Sequence, residues 1–511
     1  MPCDINKIDS NVTGLAYAEE DCLKELSVTP DWFGLEPNSY SDFGGELTNV
    51  ARAPIDPSRQ LKKGTTTDLD ASGGFNSDVT QNNLTRLMQG FFFANAREKE
   101  STAPLNGTAV ALTAVVTGAN EEYQAASGLG SFLVGHLIKG SNFGDATNDG
   151  LKKVITVSAT AVEVEETLVA EAAPPAASFI EACGFEFAAG DLDITASASS
   201  IILSTTIADF TTMQLNVGEW IFVGGDATIN QFANNDPGYA RVKSIAANAL
   251  ELDDTTWTPV TENTTTEELQ IFFGTVIRNE EDPTLIVRRS YNLERQLGQD
   301  ANGTQSEYLE GAIANEFTLN IPQADKLNAD LSFVAMDNTQ RDGTTGIKTG
   351  NRHSSPNEDA FNTSSDVYRI KMFVVDPVTL NPTALFAYIS EADIAINNNV
   401  TPTKAIGTLG AFDAAAGDFE VSGSVTAFFS EVAAMQAVRN NSDVALNMIV
   451  AQRNSAVVFD MPLIALGGGR LNVEKDAPIT IPLDTNAAES PTGYTLLSAW
   501  LPYVPTVGMP A

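Results

Sequence analysis

The sequence predicts a mainly β protein: β-sandwich or barrel domains, two of them related and each carrying one short helix, with a pair of small all-β modules inserted. Three observations predict it. Apolar residues recur at every second position in run after run, only two segments show helical spacing, and stretches of the chain repeat one another.

Two segments carry the helical period. Leu84, Leu87, Met88 and Phe91 form one stripe on a helix expected to open near Thr80, and Val432, Met435 and Val438 form another after Ser430, an N-cap residue type. Both stripes read as core packing on a sheet. The period of two is clear in Phe317, Leu319 and Ile321, with Glu316, Thr318 and Asn320 on the other face. It returns in Leu331, Phe333 and Ala335, in Ile370, Met372 and Val374, in Phe419, Val421, Gly423 and Val425, and in Val444, Leu446, Met448 and Val450. Each run predicts a half-buried strand, and Arg453-Asn454-Ser455 and Gly467-Gly468-Gly469 read as turns.

Repeats set the domain plan. Val134-Gly135-His136-Leu137-Ile138 is echoed by Val217-Gly218-Glu219-Trp220-Ile221, and Val154 to Val164 by Val242 to Leu252. Two copies of one β module are therefore expected at 106–176 and 177–265, with Ala170 to Ala176, rich in Pro and Ala, as a linker. A fainter repeat relates Gly64-Thr65, Asp70, Gly74 and the helix at Leu84 to Gly407-Thr408, Asp413, Gly417 and the helix at Val432. The expected plan is a first domain over 1–105 and 266–340, interrupted by the modules, and a second over 366–511. The polar stretch 341–365 reads as a linker or arm.

Composition excludes several classes. With 29 Lys+Arg against 66 Asp+Glu the formal charge is −37, which disfavours phosphate binding by a basic face and adsorption to an anionic membrane. Between Ala111 and Glu262 there are 20 acids and five bases, so the modules should be well solvated. The first residues, Met1 to Lys7, do not read as a signal peptide, and no apolar stretch approaches the roughly 20 residues of a membrane helix. Three dispersed cysteines (Cys3, Cys22, Cys183) fit folding in a reducing compartment.

Chemistry is not legible. His136, in an apolar strand, reads as a core or edge residue and His353 as solvated; neither has a ligand-forming neighbour. Asp145 to Gly150 resembles a calcium loop but has Thr156 where a bidentate Glu belongs, and Asp300-Ala301-Asn302-Gly303 fails similarly, so both read as Asx/Gly turns. No phosphate-cradling loop, nucleophile elbow or glycosidase dyad can be named. The expectation is no enzyme, no metal and no cofactor.

Pro57-Ser58-Arg59-Gln60-Leu61-Lys62-Lys63-Gly64, continuing into Gly73-Gly74-Phe75-Asn76-Ser77-Asp78 and Gln89-Gly90-Phe91-Phe92-Phe93, resembles the tail tube (major tail) proteins of long non-contractile bacteriophage tails, those of siphophages. Tyr308 to Ala312 before Phe317 to Asn320 is similar to the same family, as are Ile394 to Asn399, Phe419 to Val425 and the closing Trp500 to Pro505. The resemblance covers about 57–94, 284–338 and 366–505. It implies a subunit whose strands join neighbours into rings that stack into a conduit for the genome. If both ends of the chain are tube domains, three chains supply six and the ring is a trimer with pseudo-sixfold symmetry; if one is, a hexamer is expected. The faint repeat favours three. Tail tip, terminator and tape-measure proteins are the partners the family implies, with the virion tail as location and the host cytoplasm as the place of assembly.

A conduit must let DNA pass without holding it, and an acidic wall repels phosphates where a basic one binds them. Glu316, Asp330, Asp393, Asp418 and Glu420 are the candidate lumen-facing acids; the plain alternative is that they solvate the exterior. The modules are expected on the outside as decoration. The competing class is an acidic all-β adhesion or carbohydrate-binding protein.

Overall fold

Alternating sequence becomes sheet throughout the computed structural model, which describes residues 13–55, 57–300, 303–375, 384–386, 388–430 and 432–510. Among the described residues the α-helices are α1 (Thr85–Phe92) and α2 (Ala433–Arg439). The mainly β expectation holds. The chain divides into two units: Met1–Ala94 with Ile286–Ala360 and Glu391–Val425, and Asn95–Leu285 with Phe361–Ser390 and Thr426–Ala511. The first therefore takes in residues 391–425, which the sequence plan groups with the C-terminal domain.

In the first unit one antiparallel sheet runs, strand by strand, through Pro37–Arg52, Lys62–Asp78, Asn328–Ala335, Gly303–Ile321 and Ile389–Asn397. Phe75, Leu331, Phe333, Phe317, Leu319, Ile394 and Ile396 turn to one face and are buried. Helix α1 covers that face, with the Phe91 ring 5.7 Å from Phe317 and 5.3 Å from Phe333. Gly90 permits the approach of Tyr291, whose hydroxyl would lie 2.5 Å from a Cβ there. The helix opens later than the sequence predicts, at Thr85. Thr80 does not cap it, because its hydroxyl donates to Glu358 (2.7 Å) and its N–H to Asn83 Oδ1 (3.1 Å), closing a turn ahead of the helix.

The segment expected as a linker is laid down on this unit. Lys348 reaches Glu310 and Asn292 (2.8 and 2.7 Å), Arg352 makes two 2.8 Å bonds to the buried carboxylate of Glu294, and Asn351–His353 pairs parallel with Asp31–Leu35. Its polarity, read as solvation, instead satisfies buried groups. His353 stays exposed, stacked on Phe33 and 3.1 Å from Asp31.

In the second unit the modules form a 12-stranded sheet made of two six-stranded halves in mirror order, joined where Phe179–Glu186 pairs with Gln270–Phe272. The repeat is exact in register. Leu137 opposes Lys153 as Trp220 opposes Arg241; Val154, Thr156 and Val157 oppose Val164, Glu163 and Val162 as Val242, Ser244 and Ile245 oppose Leu252, Glu251 and Leu250, with the same bulge. Phe179–Glu186, beyond the Pro/Ala stretch, is the sixth strand of the first copy.

Each copy is closed by the same polar latch. In the first, Asn148 Nδ2 donates to Val169 O (2.8 Å) and Glu171 (2.6 Å), while Glu171 accepts the N–H groups of Gly144 and Asp145 (3.2 and 2.9 Å). In the second, Asn235 Nδ2 donates to Val260 O (3.1 Å) and Glu262 (2.9 Å), which accepts the N–H groups of Ala233 and Asn234 (2.7 and 2.9 Å). So Glu171 pins the stretch read as a linker. Asp145 forms an Asx turn, its carboxylate accepting Thr147 N–H at 2.9 Å; Ala301 and Asn302 of the other turn lie outside the described residues. His136 and Glu219 are counterparts that each accept the N–H three residues back, from Leu133 (3.2 Å) and Asn216 (2.9 Å). Burial pushes the His136 imidazole down to about 4, so it is neutral.

One strand departs from its half-buried expectation. Val444–Gln452 is buried on both faces, because Ile449 and Ala451 pack among Trp220, Phe222, Tyr239 and Phe272 of the modules. Buried ions reinforce the contact. Arg241 bonds Asp253 (2.8 Å) and Asp460 (3.1 Å), Tyr494 donates to Asp460 (3.0 Å), and Arg369 and Asn447 reach Asp254 (2.7 and 3.0 Å).

The two ends of the chain also share a register. Gly303–Ile321 and Ser455–Gly468 begin 152 residues apart, as do Asn328–Ala335 and Thr480–Ala487. Tyr291 opposes Ala312 and Leu293 opposes Leu309 across a bulge, as Val444 opposes Ile464 and Leu446 opposes Met461. Val79 N–H donates to Leu327 O (3.0 Å) where Phe429 N–H donates to Ile479 O (3.0 Å).

Three outcomes are expected. Arg241→Leu strands the buried Asp460 carboxylate and destabilises the second unit by about 3–5 kcal/mol in urea unfolding, whereas Lys243→Leu, whose side chain is nearly half exposed, changes it little. Asn148→Ala costs about 1–3 kcal/mol by leaving backbone groups unpaired. Burial would raise the Glu171 pKa, but the hydrogen bonds from Asp145, Asn148 and Gly144 outweigh it and hold the carboxyl low. Its stabilisation is present at neutral pH and lost as pH falls through the folded-state pKa, so Glu171→Gln should flatten the acid limb of a stability–pH curve.

Candidate functional site

The face of the first-unit sheet opposite α1 is a lattice of amides and carboxylates. Across the strands, Asp78, Asn328, Asn320 and Asp393 stand opposite one another in one row, and Asn76, Asp330, Thr318 and Ala395 in the next. Asn38 donates to Asn76 (3.0 Å) and Asp78 (2.6 Å). Asn76 donates to Asn328 (3.0 Å) and Asp330 (2.8 Å), and Asn320 to the same two residues (3.0 and 2.7 Å). Asp393 accepts from Ser424, by its hydroxyl and its N–H, and Asn397 donates to Glu316 at 3.3 Å.

The chemistry follows from the donors. Asn38, Asn76 and Asn320 each spend both amide N–H bonds on neighbouring oxygens, so the face keeps its acceptor atoms while most of its amide donors are consumed. Its flanking cation, Lys326, is tied to Asp78 at 2.6 Å. Such a surface offers an incoming anion little to bind.

Of the five candidate acids, Glu316 and Asp330 lie exposed on this face and Asp393 lies half-buried in it. Glu420 is exposed on the Glu420–Phe428 strand, on the side shared by Ser422 and Ser424. Asp418 is apart from them, in the exposed turn before that strand, where its carbonyl accepts from Asn399 (3.0 Å). Sequence reasoning missed Asp78 and the asparagines Asn38, Asn76, Asn320 and Asn328. The alternation of Asn76 and Asp78 with Phe75 and Ser77 carried the signal, but it sits behind glycines that mask the period.

A second feature is the ribbon formed by Pro37–Arg52 and Lys62–Asp78. Beyond Leu47 and Leu69 it is exposed on both faces, and Val50, Ile55 and Leu61 stand in solvent. Arg52, Arg59, Lys62 and Lys63 make its far end basic in an acidic chain. Two strands alone are marginally stable in water, so a ribbon of this length with exposed apolar residues is suited to lie against another surface. The smaller hairpin of Thr401–Lys404 and Ala411–Ala415 likewise exposes Ile406, Leu409 and Phe412. Replacing residues 49–65 by a two-residue turn should leave the thermal unfolding midpoint within a few degrees of the parent, since the ribbon end buries little.

Among the described residues no group of three or more His, Cys, Asp or Glu side chains could hold a metal ion, and no helix is long and apolar enough to cross a membrane. No curated protein matches the chain at a significant level. The family model described as phage tail tube protein matches residues 10–487, running through the modules as well as the sheets on either side. The chain belongs to the phage tail tube protein family.

Proposed function

We propose that this protein assembles into stacked rings that form the tail tube of a long non-contractile phage tail, and that the amide–carboxylate face lines its bore. The observation that carries the reading is the two-sided sheet of the first unit. One side is sealed by α1, while the other is a continuous polar surface whose carboxylates are fixed in place by asparagines. Fixed negative charge facing a duplex raises the energy of phosphate contact uniformly along the wall, so DNA slides without finding a site to rest. Glu316, Asp330, Asp393 and Glu420 are the acids assigned to this wall, with Asp78 added; Asp418 is assigned beside it.

The shared register of the two ends supports two tube domains in one chain, and hence three chains in a ring of six domains. The modules, acidic and braced against Val444–Gln452, fit an exterior decoration that moves with its domain. The exposed ribbon fits a contact between successive rings. Tail tip, terminator and tape-measure proteins are the expected partners, the virion tail the location and the host cytoplasm the site of assembly. The role is structural.

The test is electrostatic. Tubes assembled from Glu316→Lys/Asp330→Lys should retain double-stranded DNA that parent tubes release, with the retention falling steeply as salt rises. Equal DNA retention by both, or assembly of no tube by the parent chain, would sink the reading.

A further inference from the structure

The sheet of the first unit contains a joint that the chain repeats only in part. Along Gly303–Ile321, one edge is occupied by Tyr291–Asp300 as far as Ala312; past that point Ile389–Asn397 takes over, pairing Glu316 with Asn397 through Ile321 with Ala392. In the second copy of this pattern, Ser455–Gly468 is flanked by Val444–Gln452 as far as Ile464. Past it, Ala465–Gly468, paired with Thr480–Ala487 on the other edge, and, beyond the left-handed Gly468 and Gly469 (φ 70° and 82°), Leu471–Val473 have no backbone partner on this edge among the described residues. The 152-residue offset makes Asn472 and Val473 the counterparts of Asn320 and Ile321. The counterpart of Ile389–Asn397 is Pro37–Arg52, paired on one edge with Lys62–Asp78 and, among the described residues, with no strand on the other, where Arg295 reaches Phe43 O (3.0 Å). Asp393 meets Ser424 as Ser41 meets Gly74, so Tyr40 and Ser41 correspond to Ala392 and Asp393.

We infer that the Ala465–Val473 edge of one chain pairs antiparallel with the Tyr40–Ser41 stretch of a second copy, reproducing between chains the joint that Glu316–Ile321 and Ala392–Asn397 make within one. This rests on the ring reading above and names the strands that close the ring. Backbone geometry is ready for it. Asn472 exchanges both its hydrogen bonds with Thr480 (2.8 and 3.2 Å), which turns the N–H and C=O of Leu471 and Val473 toward the bare edge. Val473 is 66% exposed, an apolar residue awaiting a neighbour across the strands, and Tyr40 is its partner by register. Because the two edges come from different strands, the contact is heterologous, and it makes a ring where the rotation between copies closes. With one joint inside each chain and one between chains, three chains complete six domains.

Disulfide trapping tests it. Asn472 and Ser41 would form a non-hydrogen-bonded pair, with Cα atoms about 4.5 Å apart, within disulfide reach. In a chain whose Cys3, Cys22 and Cys183 are replaced by Ser or Ala, Ser41→Cys/Asn472→Cys tubes should oxidise to a closed covalent trimer, while either single variant stays monomeric on a denaturing gel. Val473→Pro, which removes an edge-facing N–H at an exposed site, should keep the parent unfolding midpoint and lose assembly at least tenfold. Tubes that form without cross-links, or that close as six chains, overturn this joint and leave the ring reading standing. A cysteine-free chain and a parent chain that both stay single molecules would overturn the ring reading, and the joint with it.

Discussion

A β-strand carries hydrogen-bonding groups on two edges, and every edge left bare must find water or a partner. That constraint organises this molecule. Inside the modules it is met by mirror-order pairing, in which Phe179–Glu186 and Gln270–Phe272 cover each other's outer edge. Inside the first unit it is met by Ile389–Asn397, which takes the edge that Tyr291–Asp300 leaves. Where the chain runs out of its own strands, the edges that remain are the ones our proposal gives to a second copy.

Asparagine does the second recurring task. On the sheet face it fixes carboxylates by donating amide hydrogens sideways; in the modules, the buried Asn148 and Asn235 tie their surface loops to Glu171 and Glu262. A carboxylate held by amides keeps its charge without a cation beside it, which lets a chain with 66 acids and 29 bases place negative charge densely and in order. In the interior of the second unit the carboxylates take cations instead, where Arg241 and Arg369 meet Asp460 and Asp254 between module and sheet.

Local sequence carried the strands, because a period of two is written by residues next to one another. It also carried the module repeat, down to the register, since matched residues in matched order reproduce the same pairings. It carried the acids of the face, because Glu316 and Asp330 alternate with buried Phe317 and Leu331.

What only the tertiary structure decided were partners distant in the chain. Thr80 reads as a helix cap until Glu358 takes its hydroxyl; 341–365 reads as a linker until Glu294 and Glu310 take its cations. Val444–Gln452 reads as half-buried until the modules cover its other face. In each case a polar or small residue has the same local pattern whether water or a remote side chain satisfies it, and the choice depends on where the fold delivers that side chain. Strand, period and repeat belong to the sequence; which edges and charges are left over belongs to the folded chain.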